Sequence, residues 1–202
     1  AGTNWPACGE IYQGRLVVGA TPGRKNGLWA SRAGDLLDFR GYTATDGTPA
    51  ATPDNGATIT DECAITAPVA TKGAIGWIRG QRELFLGCDD GEVSVTAVGG
   101  ILSPKDFQTR QESAFGAAAL QPLVAGSQVL FVSRDRRKVR AMRFVRDTGG
   151  MESPDVSFPG AHLLAPGVLE IHWAREPIGT IVCLLADGTL ACYSYEPTQE
   201  ID

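Results

Sequence analysis

The sequence predicts an all-β fold, a propeller-like array of about four blade repeats along residues 1–202. Three observations carry this expectation. Glycine and proline are frequent, at 25 and 12 of 202 residues, so turns should be many and long helices few. Short apolar runs recur on either side of turn residues. The same plan, an apolar lead-in followed by a hairpin, returns along the chain.

The first hairpin is expected in RLVVGA and LWASRA, Arg15–Ala20 and Leu28–Ala33, around the turn PGRKNG with Asn26-Gly27 at its end. The second lies in ELFLGCDDGEVSVT, Glu83–Thr96, and turns at its Asp-Gly pair. The third is QVLFVSRDRRKVRAMRF, Gln128–Phe144, with Asp135–Arg137 at the turn. The fourth is TIVCLLADGTLACYSY, Thr180–Tyr195, turning at Asp187-Gly188. Asp-Gly between strand-like runs is a strong hairpin signal, because both central residues of a type I′ turn need positive φ. Lead-in strands are expected at Ala74–Ile78, Leu120–Val124 and Leu169–Trp173. A lead-in and a hairpin make three strands, and a short outer strand completes a four-stranded blade. The later turns lie roughly 45 to 52 residues apart, close to propeller repeats, whereas the first interval is about 64. Surface insertions at 41–56 (GYTATDGTPAATPDNG) and 147–159 account for the irregular spacing. Four blades are few for a closed ring, so an arc of a larger propeller is also expected. A β-sandwich is the alternative all-β reading, since it too has short strands and frequent turns.

Composition narrows the chemistry. Apolar residues make up 43% and charged residues 20%, a globular balance. A net charge of −5 supplies no footprint for holding nucleic acid. The one basic cluster, Arg134, Arg136, Arg137, Lys138 and Arg140, falls on a hairpin and reads as a solvated turn. The five cysteines, Cys8, Cys63, Cys88, Cys183 and Cys192, form no CxxC pair, and three sit in apolar runs suited to reduced core thiols. No apolar run approaches the ~18 residues of a membrane span. The chain begins at Ala1, not methionine, so a processed protein or a piece of a longer one is expected.

Each candidate site has a competing structural reading. Gly19 and Lys25 have the spacing of a phosphate-binding loop, but Arg24 and Asn26 replace its second glycine and hydroxyl. The adjoining Leu28–Gly34 reads as a strand and offers no helix N-terminus. His162 and His172 read as core or rim histidines; Cys8 and Cys63 lack a neighbouring histidine in sequence. Asp61-Glu62 and Asp89-Asp90 are adjacent pairs, which strand geometry sends to opposite faces. Trp5, Trp29, Trp77 and Trp173 could stack a sugar or a base, and core packing competes with that role. No catalytic, cofactor-binding or metal-binding residue is therefore assigned.

The order WPACGEIYQGRLVVGATPGRKNGLWASRAGDLLDF, ITAPVATKGAIGWIRGQRELFLGCDDGEVSV, ILSPKDFQTRQESAFGAAALQPLVAGSQVLFVSRDRRKVRAMRF, PGAHLL and PIGTIVCLLADGTLACYSYEPTQE covers nearly the whole chain. It resembles the repeat-rich body of tailed-bacteriophage tail proteins of the nozzle, or tail tubular protein B, type. The resemblance implies a non-enzymatic structural part of a phage or prophage tail, built around a propeller platform. It implies a virion location, assembly in the bacterial cytoplasm, and no cofactor. The implied partners are further copies in a ring and neighbouring tail or portal and adaptor proteins, with DNA only as passing cargo. The chain is shorter than typical members and stops at Tyr195–Glu200 where they continue, so a domain or fragment is implied. A carbohydrate- or receptor-binding propeller module of a tail is the alternative function.

Overall fold

The computed structural model describes residues 4–52, 56–145 and 150–196. Parts of both expected insertions (53–55 and 147–149) and the last four residues of the closing stretch quoted above (197–200) lie outside the described residues. The architecture is all-β, a succession of small antiparallel sheets.

The first sheet has the order β1-β2-β3-β6, from β1 (Cys8–Tyr12), β2 (Arg15–Thr21), β3 (Arg24–Ala30) and β6 (Ile65–Pro68). Strand β1 is the lead-in to the first hairpin, which the sequence reading did not anticipate. It joins β2 through Gln13 (φ 49°) and Gly14 (φ 70°), with Tyr12 opposite Arg15. Two positive φ angles in a two-residue loop are the type I′ signature. The β2–β3 turn is Pro22-Gly23, because Thr21 pairs with Arg24. Asn26-Gly27, expected at the end of that turn, is instead inside β3. Gly27 is needed there because a Cβ would lie 2.4 Å from the Trp29 ring. The side-chain amide of Asn26 donates to the carbonyls of Val69 and Thr71, each at 3.3 Å. Arg24 and Lys25 are exposed at the tip. Within the expected 41–56 insertion, β4 (Tyr42–Thr43) and β5 (Pro49–Ala50) form a hairpin of their own.

The second sheet runs β7 (Ile75–Gly80), β8 (Leu84–Cys88), β9 (Gly91–Thr96) and β10 (Gln108–Ser113) in chain order. Asp89 and Asp90 turn the β8–β9 hairpin, and neither has positive φ, so the type I′ turn expected from Asp-Gly does not form here. The third sheet runs β11 (Leu123–Ala125), β12 (Gln128–Val132), β13 (Val139–Val145) and β14 (Gly150–Glu152). Its outer strand β14 comes from inside the stretch expected as the 147–159 insertion. A 3-10 helix at Phe158–Leu164 follows. The fourth sheet is β15 (Val168–Ala174), β16 (Thr180–Leu185) and β17 (Leu190–Ser194). Its Asp187-Gly188 turn places only Gly188 at positive φ (83°), while Asp187 accepts hydrogen bonds from Thr189 N and Oγ1 at 3.0 and 2.7 Å.

By compactness the chain forms two units, Ala1–Leu86 with Val93–Gln111, and Gly87–Glu92 with Glu112–Asp202. In the first, β7 packs on β1 and β2, and Val17, Leu28, Ile75, Trp77, Ile78 and Leu84 are each at most 2% exposed. In the second, Leu130, Val132, Val139 and Ala141 meet Leu164, Val168, Ile171, Ile181, Cys183 and Leu185. Each fully buried aliphatic contributes about 1.5–3 kcal/mol through removal from water, so these clusters are the dominant favourable term.

Candidate functional site

Three groupings of polar or aromatic side chains stand out, and each is built by the strands around it. The first surrounds Arg15, a charged residue that strand alternation places on the same inward face as Val17 and that is 2% exposed. Its guanidinium donates to the carbonyls of Ser31 (2.7 Å), Cys63 (2.8 Å) and Asp61 (2.5 Å), and so pins the 61–63 loop against β2 and β3. Burial holds its pKa below the ordinary arginine value. Beside it, Asp38 accepts Arg40 Nε and Nη2 at 2.8 and 3.0 Å and lies 3.7 Å from Arg32 Nε. The Arg40 hydrogen bonds are the largest influence holding the Asp38 carboxyl below its usual range.

Cys63 closes this grouping. Its Sγ lies 3.3 Å from Arg32 Nη1 and within 3.4 Å of the Thr43 and Thr60 hydroxyls. Burial raises the thiol pKa, but the bonds from Thr43, Thr60 and Arg32 outweigh it and leave a net lowering. A thiolate-favouring cage suits a nucleophile. Cys63 is 0% exposed, however, so no substrate can reach the sulfur without opening the fold. The network is a structural clasp.

The second grouping is Glu92 and Arg140. Glu92 is 0% exposed, and neither carboxylate oxygen has a hydrogen-bond partner. Desolvation pushes its pKa up to about 7, against the pull of Arg140 and of the backbone at Glu92, Phe115 and Gly116. Those backbone groups lie close enough to favour the charged form without reaching bonding geometry. Arg140 stacks over Phe115 at 3.6 Å and donates to the Ser153 carbonyl at 2.7 Å. A neutral buried carboxyl can act as a general acid only where a substrate can approach, and Glu92 has no exposed surface. Nearby, four of the five residues of the expected basic cluster lie at the turn, whereas Arg140 belongs to β13. Arg134, Arg136, Arg137 and Lys138 are exposed, and Lys138 Nζ lies 3.7 Å from Asp155.

The third grouping is a cleft of about 560 Å³ lined by Val124, Gly126, Trp173, Arg175, Tyr195 and others. Trp173 and Tyr195 meet edge to face with centroids 6.2 Å apart, and the Tyr195 hydroxyl bonds to Gln128 Oε1. The other tryptophans divide: Trp77 is 1% exposed, Trp29 is half-buried against Gly27, and Trp5 is 74% exposed. His162 is exposed on the 3-10 helix, and His172 lies 3.4 Å from Glu170 at the surface. Asp61 reaches Lys105 at 3.7 Å, while Asp89 and Asp90 serve as turn residues. Gly19 and Lys25 sit on the β2–β3 hairpin, with no helix N-terminus beside them. Among the described residues, no three His, Cys, Asp or Glu side chains converge to hold a metal ion.

Sequence reasoning missed Arg15, Asp38 and Glu92. No local pattern marks them: Arg15 and Glu92 are charged residues in strands, Asp38 lies in the loop between β3 and β4, and charge in either setting reads as solvent-facing.

The fold and these groupings define an all-β chain of small antiparallel sheets with a polar interior used for bracing. A scan against models of known protein families and a search of curated proteins both return no match. Among the described residues, no helix is long and apolar enough to cross a membrane.

Proposed function

We propose that the sheets are blades of a propeller-like array, or an arc of a larger propeller, that serves as a non-enzymatic scaffold and docking surface in a bacteriophage or prophage tail. One observation carries the architectural part. Among the described residues, spatial order follows chain order in each of the four main antiparallel sheets, with the β4–β5 hairpin inserted before the last strand of the first, and no main sheet borrows a strand from another. Sandwiches interleave strands between their sheets by Greek-key connections; propellers add one meander per blade. The packing of β1 on β7, and of β11 on β15, supports the same reading, since first strands of successive blades are neighbours.

The tail assignment rests on the resemblance of the ordered segments. The rigid, braced interior suits a wall whose loops can vary without disturbing the core. Its partners on this reading are further copies in a ring and neighbouring tail, portal or adaptor proteins, with DNA passing unbound. Electron microscopy of the virion, with the protein located by a bound antibody fragment, tests the proposal. Density in a ring beneath the portal is expected, and absence from purified virions overturns it.

A second reading, a carbohydrate- or receptor-binding module, draws on the Trp173–Tyr195 cleft and exposed Trp5. Binding of a glycan that Trp173→Ala abolishes, with the fold intact, would favour it.

A further inference from the structure

The fourth sheet differs from the first three in having three strands among the described residues, with β17 at its edge. The backbone geometry of that edge can be worked out. Leu185 N–H donates to Thr189 O at 2.9 Å, and the pairing continues through Cys183 opposite Ala191 and Ile181 opposite Tyr193. Along an antiparallel ladder, alternate residues turn their N–H and C=O groups to opposite sides. Ala191 and Tyr193 therefore face β16, while Leu190, Cys192 and Ser194 point their backbone groups away from it. These three residues are exposed, and Leu190 is 65% so.

Exposed edges are normally blunted by charge, proline or a bulge. Strand β17, LACYS, carries no charged residue and no proline, and its register with β16 is unbroken. The groups are also symmetric about Cys192. An antiparallel copy of the same strand sets Leu190 against Ser194 of the partner copy, Cys192 against its own counterpart, and Ser194 against Leu190. All three residues then fall in hydrogen-bonded pairs, which is the self-complementarity a twofold interface requires. Phe158, 78% exposed, and Leu163, 43% exposed, lie on the 3-10 helix whose Gly160 carbonyl accepts the Tyr193 hydroxyl at 2.7 Å. They add apolar surface beside the strand. We propose that two copies of this chain associate through antiparallel pairing of their β17 edges about a twofold axis at Cys192. The inference stands on the edge geometry and is independent of the tail assignment.

Cys192 reports on the interface directly. A cross-strand hydrogen-bonded pair has Cα atoms about 5.5 Å apart, within disulfide reach. Mild oxidation with copper phenanthroline removes two electrons and two protons from a facing pair of thiols. The expected result is a disulfide-linked dimer that is absent in Cys192→Ser. Sedimentation of the reduced full chain should show a dimer, with the half-association concentration at least about tenfold higher in Leu190→Lys or Ser194→Lys, a loss of about 1.4 kcal/mol. Both positions are exposed, so both variants should keep the wild-type circular dichroism and melting temperature. A monomer at every concentration overturns the proposal. So does a cross-link that persists in Cys192→Ser. Slow amide exchange at Leu190, Cys192 and Ser194 in the dilute monomer would also overturn it, by showing that the chain covers its own edge.

Discussion

Glu92 makes the stability of this protein depend on proton concentration. The carboxyl is buried without a hydrogen-bond partner and its pKa rises to about 7 from 4.5. A raised carboxyl pKa means the folded state holds a proton that the unfolded chain releases. Below about pH 4.5 both states are protonated and the group is neutral in the balance. Between about 4.5 and 7, unfolding becomes progressively favoured, and above 7 the penalty is full, about 3 kcal/mol at one pKa unit per 1.36 kcal/mol. Glu92→Gln should therefore raise the unfolding free energy at pH 8 by up to about 3 kcal/mol and change little at pH 4.5. Urea unfolding at the two pH values checks this, and an equal effect at both would refute it. Asp38 has the opposite sign. Its lowered pKa stabilises the fold above the ordinary carboxylate range, and that contribution disappears as pH falls through the folded value. Arg15→Met leaves the carbonyls of Ser31, Asp61 and Cys63 without their buried donor and should cost about 1–3 kcal/mol or more. A loss under 1 kcal/mol in denaturant melts would mean that water replaces the guanidinium.

At the scale of strands and turns, the hairpins were legible and their turn types were not. The four hairpin centres were marked by alternating apolar residues around Asp, Gly or Arg, and β8–β9, β12–β13 and β16–β17 formed there. Asp187-Gly188 placed only the glycine at positive φ, and the Asp89-Asp90 turn used no positive φ in its aspartates. The type I′ turn appeared instead at Gln13-Gly14, where the Gln13 amide bridges the Gly100 carbonyl and the Leu102 amide at 2.8 Å each. That long-range clamp stabilises a strained glutamine, and no local signal encodes it. Asn26-Gly27 misled for a similar reason, because Gly27 is required by the Trp29 ring and not by a turn. Two glycine substitutions separate these roles. Gly188→Ala should cost about 1 kcal/mol through positive φ alone. Gly27→Ala should cost more, because the indole must move to admit a methyl group at 2.4 Å. Thermal melts of both variants rank them, and a smaller loss for Gly27→Ala would count against the steric account.

For the whole chain, composition offers no electrostatic footprint for strong nucleic-acid affinity, and the basic turn adds only a small one. Arg134, Arg136 and Arg137 are exposed on one hairpin, Lys138 faces Asp155, and the net charge is −5. Duplex DNA should bind no tighter than about 10⁻⁴–10⁻⁶ M at physiological salt, as measured by fluorescence anisotropy. Nanomolar affinity would remove the idea of a surface past which DNA slides. The candidate sites were less legible than the fold because they depend on residues far apart in sequence. Cys63 meets Arg32 and Thr43 only after three strands have paired, and Trp173 meets Tyr195 across β16.

The distribution of thiols has a practical consequence. Cys63, Cys88 and Cys183 have no exposed surface, and Cys183 is pushed up to about 11 by burial, while Cys192 lies open at the edge strand. The molecule thus carries buried timers in both compact units and one exposed reference thiol on β17. At neutral pH an alkylating reagent should label Cys192 first, then modify Cys63 and Cys183 at rates set by how often each unit opens. Mass spectrometry of the labelled peptides would turn those rates into separate opening frequencies, without introducing a single substitution.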